Sequence, residues 1–145
     1  MIREATLDDM FDILSMSKRF MELGPDTFVF DRHLLEEFVT PLLDDPNSLV
    51  LVSDDKGVDG LIVGVCAKHP FCGYRLAQEL IWWVNPEVRG GVKAIRLLQN
   101  FVNWSRTVEA DFLSMGDVSA VGDLGKLYKR LGFEYAEGSY TMRIK

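Results

Sequence analysis

The stretch Val84-Asn85-Pro86-Glu87-Val88-Arg89-Gly90-Gly91-Val92-Lys93-Ala94 decides how this chain is read. It follows on from Ala77 to Val84 (AQELIWWV), an apolar run of strand length that Asn85-Pro86 ends. Two adjacent glycines then make a tight turn, and the run Gly91 to Arg106 reads as a helix. Ala94, Leu97, Leu98, Phe101, Val102 and Ser105 form its inward stripe. A strand that turns on glycine into a helix leaves the first helical N–H groups without partners and lets a ligand approach the backbone. The helix dipole favours negative charge there, and Arg89, Lys93 and Arg96 add positive charge nearby. Taken alone, the glycine pair serves equally well as a sharp strand-to-helix turn that binds nothing.

Working outward, Met1 to Ala5 alternates as a short strand, and Thr6 is placed to cap a helix with acidic residues in its first turn. Met10, Ile13, Leu14, Phe20 and Met21 recur at helical spacing up to the Gly24-Pro25 break. A second helix opens at Asp31, carries Leu34, Leu35, Phe38 and Val39 on one face, and falters at Pro41. Ser48 to Ser53 and Gly60 to Ala67 are apolar runs around the turn residues Asp54-Asp55-Lys56-Gly57, the pattern of an antiparallel hairpin. Beyond the central helix, Ala110 to Met115 reads as a short strand and Val121 to Leu131 as a helix stopped by Gly132. Phe133 to Ala136 and Tyr140 to Ile144 then read as two strands around Glu137-Gly138. The order predicts one α/β (α+β) domain over residues 1–145, with a mixed, mostly antiparallel sheet of about seven strands flanked by four helices.

Composition narrows the function. At 145 residues and 48% hydrophobic, the chain is expected to bury about 70% of its unfolded surface without staples. Sixteen Lys and Arg against twenty-two Asp and Glu give a charge of −6, which argues against a general nucleic-acid binder. The longest apolar stretch, Leu61 to Ala67, is far short of the roughly 20 residues that span a bilayer. The start MIREATLDDM shows no signal-peptide pattern, so a cytoplasmic protein with no membrane partner is expected. Cys66 and Cys72 are expected to be reduced thiols, and His33 and His69 to be loop or surface residues, with no metal bound.

A second segment, Leu127-Tyr128-Lys129-Arg130-Leu131-Gly132-Phe133, closes the last helix. Leu127 and Leu131 suit a core and Gly132 a C-cap, which leaves Tyr128 over. Its phenol is a donor able to protonate a leaving thiolate, or it packs on the sheet with its hydroxyl in water. The neighbouring Trp82 and Trp83 face opposite sides of their strand, so one lines a cleft and the other the core, or both are core.

These two segments, in this order and separated by one strand, resemble the GNAT superfamily of acetyl-CoA-dependent N-acetyltransferases. That family shows V-x-P-x-x-R-G-x-G-x-G/A, matched by Val84 to Ala94 with Val92 where a glycine is usual. It also shows L-Y-x-x-x-G-F, matched by Leu127 to Phe133. The form Arg89-Gly90-Gly91-Val92-Lys93-Ala94 further resembles small GNAT-like proteins of tailed bacteriophages.

The resemblance implies a strand that splays from its neighbour and holds acetyl-CoA by backbone N–H groups around Trp83 and Val84. It places the pyrophosphate on Arg89, Gly90, Gly91, Val92, Lys93 and Ala94. It implies direct attack by a primary amine in a ternary complex, with Tyr128 as the acid. Glu79 is the implied base, its pKa raised within an apolar run, with Asp117 in reserve. A bulge in that strand would set which face Glu79 takes, and a partly solvated glutamate without a role fits as well. The acceptor is an amine-bearing small molecule or protein, and a homodimer is compatible. Asp8, Asp9, Asp26, Asp31, Glu36 and Glu37 offer it an acidic rim. The alternative is a GNAT-like structural or interaction protein without activity, such as a virion-associated one.

Overall fold

Two runs that look alike in sequence, SLVLVS and LIVGVCA, become central strands because both of their faces are covered. The computed structural model describes residues 1–24, 29–116 and 124–144. In chain order these form β1 (Ile2–Glu4), α1 (Met10–Met21), α2 (Arg32–Leu42), β2 (Ser48–Asp54) and β3 (Val58–Lys68). β4 (Arg75–Val84), α3 (Lys93–Thr107), β5 (Phe112–Ser114) and α4 (Leu124–Arg130) follow. One sheet runs β1-β2-β3-β4-β5; its first four strands are antiparallel neighbours and β5 lies parallel to β4. On one face Ile13 and Leu14 of α1 and Val39 of α2 pack on Val50, Val52, Leu61, Val63 and Trp83. On the other, Leu97, Leu98 and Phe101 of α3 and Tyr128 of α4 pack on Leu49, Leu51, Ile62, Ala77 and Val84. Successive strand residues face opposite sides, so a strand buried twice reads as a continuous apolar run.

The helix starts follow from local chemistry. The Asp31 carboxylate accepts from the Leu34 N–H at 3.1 Å, as an N-cap should. Before α1, Asp9 accepts from the Thr6 N–H at 2.8 Å and takes a two-pronged ion pair from Arg3, which holds its carboxyl below the usual range. Pro41 lies in the last turn of α2, which runs one residue past it. No helix among the described residues is long and apolar enough to cross a membrane.

Glycine explains why α3 lies so close to the sheet. A side-chain carbon at Gly60 would stand 3.1 Å from Leu97 Cδ1, and one at Gly64 would overlap the ring of Phe101. Both glycines lie on the α3 face of β3 and leave a trough that Leu97 and Phe101, one helical turn apart, fill.

One expectation fails. The described residues hold five strands, not about seven, because Phe133–Ala136 and Tyr140–Ile144 form no ladder. The Phe133 N–H donates to the Tyr128 carbonyl and its ring packs on Tyr128, but Tyr135, Tyr140, Met142 and Ile144 are exposed. Alternation tells which residues would share a face; it does not supply an edge to pair with. The last helix is described only from Leu124, so its expected start at 121 lies outside the described residues.

The trough gives a direct test. Gly64→Ala forces Phe101 out of its place, and urea denaturation should show a loss of roughly 1–3 kcal/mol. Unchanged stability would mean that α3 shifts freely on the sheet.

Candidate functional site

The site begins where β4 loses its neighbour. Among the described residues β4 and β5 are paired only at Leu76–Phe112, Ala77–Leu113 and Gln78–Ser114, so from Glu79 onward β4 has no described neighbour on that edge. A cavity of about 440 Å³ lies there. Phe20, Leu80 and Trp83 line it from the α1 side, and Trp82, Val84, Ala94 and Leu124 from the α3 side. It therefore passes through the sheet between its two faces.

The alternation of the ladder decides which backbone groups look into this gap. The Asn85 N–H donates to the Asp59 carbonyl at 2.8 Å, and Trp83 stands opposite Leu61 in the same antiparallel pairing. Hence Trp83 bonds across to β3, and the amides of Trp82 and Val84 turn to the open side. Of the two backbone positions expected at the gap, Val84 is there, and Trp82 takes the place expected of Trp83. The Trp83 side chain packs in the α1-side core, with the guanidinium of Arg89 4.6 Å over its ring. Arg89 Nε donates to the Val84 carbonyl at 2.8 Å.

Glu79 reaches the site through a bulge. Val63 pairs with Ile81 but the next residue, Gly64, pairs with Glu79, so Leu80 is the extra residue of β4. Counting back from Trp83 without it would turn Glu79 to the α1 side. With it, Glu79 lies across from Gly64 on the α3 face and lines the cavity. Its Oε2 accepts from the Gly116 N–H at 3.0 Å. Burial pushes its pKa up, and that hydrogen bond offsets only part of the effect.

Tyr128 is 8% exposed, and its hydroxyl donates to the Gly116 carbonyl at 2.6 Å. Glu79 and Tyr128 thus meet at one residue, Gly116, just past the end of β5. Asp117 lies outside the described residues. Gly116 carries no motif in the sequence, and only the folded chain shows that it joins the two.

At the start of α3, Gly90 has φ +94°, a conformation that favours glycine, and the space around Gly90 and Gly91 is open. Val92 is the N-cap residue with no side-chain cap and a side chain 54% exposed. Arg96 is the first to bond back, to the Val92 carbonyl at 2.9 Å. The N–H groups of Val92, Lys93, Ala94 and Ile95 therefore have no partner within the helix. Ala94 lines the cavity, and its carbonyl accepts from Trp82 Nε1 at 3.2 Å. The ammonium of Lys93 is bonded to Asp59 and, at 3.2 Å, to Asp55, and the Asp59 bond raises its pKa.

The acidic residues of the first third take other places. Asp9 is tied to Arg3, Asp31 caps α2, and Glu37 pairs with His33. None of those described lines the cavity, and Asp26 lies outside the described residues. No cluster of three or more metal-ligating side chains occurs among the described residues, and both cysteines are free.

The raised pKa of Glu79 makes a prediction about stability. A carboxyl whose folded pKa exceeds its unfolded one stabilises the fold fully below the unfolded value, and loses that contribution as pH rises through the folded value. Glu79→Gln removes this titration. Its stability in denaturant relative to the parent should therefore rise with pH from the ordinary glutamate range upward. A difference independent of pH would mean that Glu79 is not desolvated.

No family model and no curated protein matches the sequence. Solved structures do. A "predicted acetyltransferase with acetyl-CoA" from Clostridium acetobutylicum superposes with TM-score 0.82 at 15% identity, covering 99% of this chain and 96% of that one. A ribosomal-protein-alanine N-acetyltransferase from Brucella melitensis biovar Abortus 2308 gives 0.72 at 18%, over 99% of both chains. An aminoglycoside antibiotic 6'-N-acetyltransferase from Acinetobacter haemolyticus gives 0.76 at 13%, over 100% of this chain and 98% of that one. Strand order, the open edge of β4 and these superpositions agree: the chain has the fold of the GNAT acetyltransferases.

Proposed function

We propose that this protein is an N-acetyltransferase that moves the acetyl group of acetyl-CoA to a primary amine in a ternary complex. The observation that carries the reading is the gap between β4 and β5 among the described residues, where a desolvated carboxylate and a strand edge with no described partner share one cavity with the start of α3. The fit to coenzyme A rests on the open space at Gly90 and Gly91 and on the unpartnered N–H groups of the first turn of α3, which suit a pyrophosphate. Arg89, on the same loop, adds charge. The cosubstrate supplies the acetyl group as an activated thioester.

The chain's own residues then divide the proton traffic. Glu79, held less acidic by burial, takes a proton from the attacking amine. The Val84 amide, turned to the gap, is a donor for the developing oxyanion. Tyr128 gives its proton to the departing thiolate after leaving the Gly116 carbonyl. The two access sides of the cavity suit a cosubstrate on the α3 side and an acceptor on the α1 side. That acceptor is an amine on a small molecule or a protein. A second reading, a GNAT-like interaction protein without activity, is favoured by one observation: the Tyr128 hydroxyl is engaged by Gly116, and Tyr128 is not among the cavity-lining residues.

Calorimetric titration with acetyl-CoA separates the two. The enzyme reading expects binding that Gly91→Asp abolishes. The new carboxylate has room at that position but faces the phosphates. No binding by the parent protein at millimolar acetyl-CoA would leave the interaction-protein reading. Tyr128→Phe should keep cofactor affinity and lower turnover about 100-fold, the low end for loss of a general acid; full activity removes Tyr128 from that role.

A further inference from the structure

The loop from Asn85 to Val92 joins β4 to α3 and is held unevenly. Its first half is well tied: Arg19 donates to Asn85 Oδ1 at 3.1 Å and pairs with Glu87 at 2.8 Å, and Trp83 Nε1 donates to Asn85 Oδ1 at 2.9 Å. Its second half is different. Gly90, Gly91 and Val92 donate no backbone hydrogen bond to the described residues, and a side-chain carbon at either glycine would meet no described atom within 4 Å beyond its chain neighbours. The next point of attachment is Lys93, the first residue of α3.

Both ends of the loop meet at one residue. The carbonyl of Asp59 accepts the Asn85 N–H at 2.8 Å, and its carboxylate holds the Lys93 ammonium. The Asp59 carboxylate is largely buried, and its Oδ1 is buried with no partner among the described residues. Its neighbour Gly60 is one of the two glycines that let α3 sit against β3. Asp55 takes a second bond from the same ammonium at 3.2 Å. Asp55 also pairs with the N-terminal ammonium of Met1, so two carboxylates face two ammoniums and the cluster presents no net positive charge to an anion at the helix start.

We propose that Asp59 is the positioning residue of this loop, and that Lys93 is its tether rather than a phosphate ligand. The functional part of the proposal rests on reading the loop as the phosphate cradle. Fixing Lys93 fixes the first turn of α3, and with it the direction of the free N–H groups. A hydrogen bond aimed at an anion weakens steeply with misalignment, so cradle geometry governs affinity. The two roles open to Lys93 predict opposite signs for one variant. If Lys93 bound phosphate, neutralising its competitor Asp59 would free it and tighten binding. If it is a tether, the same change loosens the cradle and weakens binding.

The experiment compares the parent, Asp59→Asn, Lys93→Met and Lys93→Arg by calorimetry with coenzyme A and by hydrogen exchange without it. The tether expects Asp59→Asn and Lys93→Met each to weaken coenzyme A binding by about tenfold, the scale of one lost charge-assisted hydrogen bond. It also expects faster exchange at Arg96 to Leu98, the first bonded amides of α3, and recovery of both properties in Lys93→Arg. Tighter binding by Asp59→Asn, or unchanged exchange in both neutralised variants, overturns it. Should the parent bind no coenzyme A, the acetyl-transfer reading fails, and the exchange comparison alone decides the tether.

Discussion

Everything at this site depends on β4 standing beside β5, among the described residues, for only three residues. A parallel pair that continued would satisfy the amides of Trp82 and Val84 in a ladder and close the sheet. Because pairing among the described residues stops at Gln78 and Ser114, those groups face a cavity, and the cavity reaches both faces of the sheet. The bulge at Leu80 belongs to the same local departure. It shifts the alternation by one residue and so brings Glu79 round to the face that Tyr128 also occupies. Loss of regular pairing thus creates the opening and also aims a carboxylate into it.

Electrostatics then separates two regions that lie close together. Glu79 is desolvated and, among the described residues, meets the Gly116 N–H rather than a cation, so its proton affinity is raised. Lys93, at the helix start, has the opposite situation, with two carboxylates on one ammonium. What remains for an anion at the start of α3 is the set of unpartnered N–H groups and the dipole behind them, with Arg89 on the preceding turn. Backbone donors are fixed by the helix itself, so their aim is only as good as the helix's own anchorage. That dependence makes the contact between Asp59 and Lys93 more than a surface ion pair.

Much of the architecture is legible in the residues. The apolar runs at Ser48–Ser53, Gly60–Ala67 and Ala77–Val84 become strands whose ends differ by at most two residues, and the stripe from Ala94 to Ser105 becomes α3. These survive because burial on a fixed period is a local property. The strands expected after Gly132 do not, since a strand also needs an edge, and alternation in Tyr140, Met142 and Ile144 carries no record of one. Of the acidic residues in the first third, Asp9 and Asp31 are engaged in local structure, as an ion pair and a cap, which sequence position alone does not reveal.

The sequence by itself determined the order of elements, the glycine turn into α3 and the residue types, Glu79 and Tyr128, that acid–base chemistry would use. It determined them because period, turn chemistry and side-chain pKa are written in short windows. Only the tertiary structure decided which face Glu79 takes, that Trp82 rather than Trp83 turns its amide to the gap, and that Lys93 belongs to Asp59. Each of these depends on a partner far away in the chain, on Gly64, Leu61 or Asp59. Distance in space, which sets every one of these bonds, has no local signature in the order of residues.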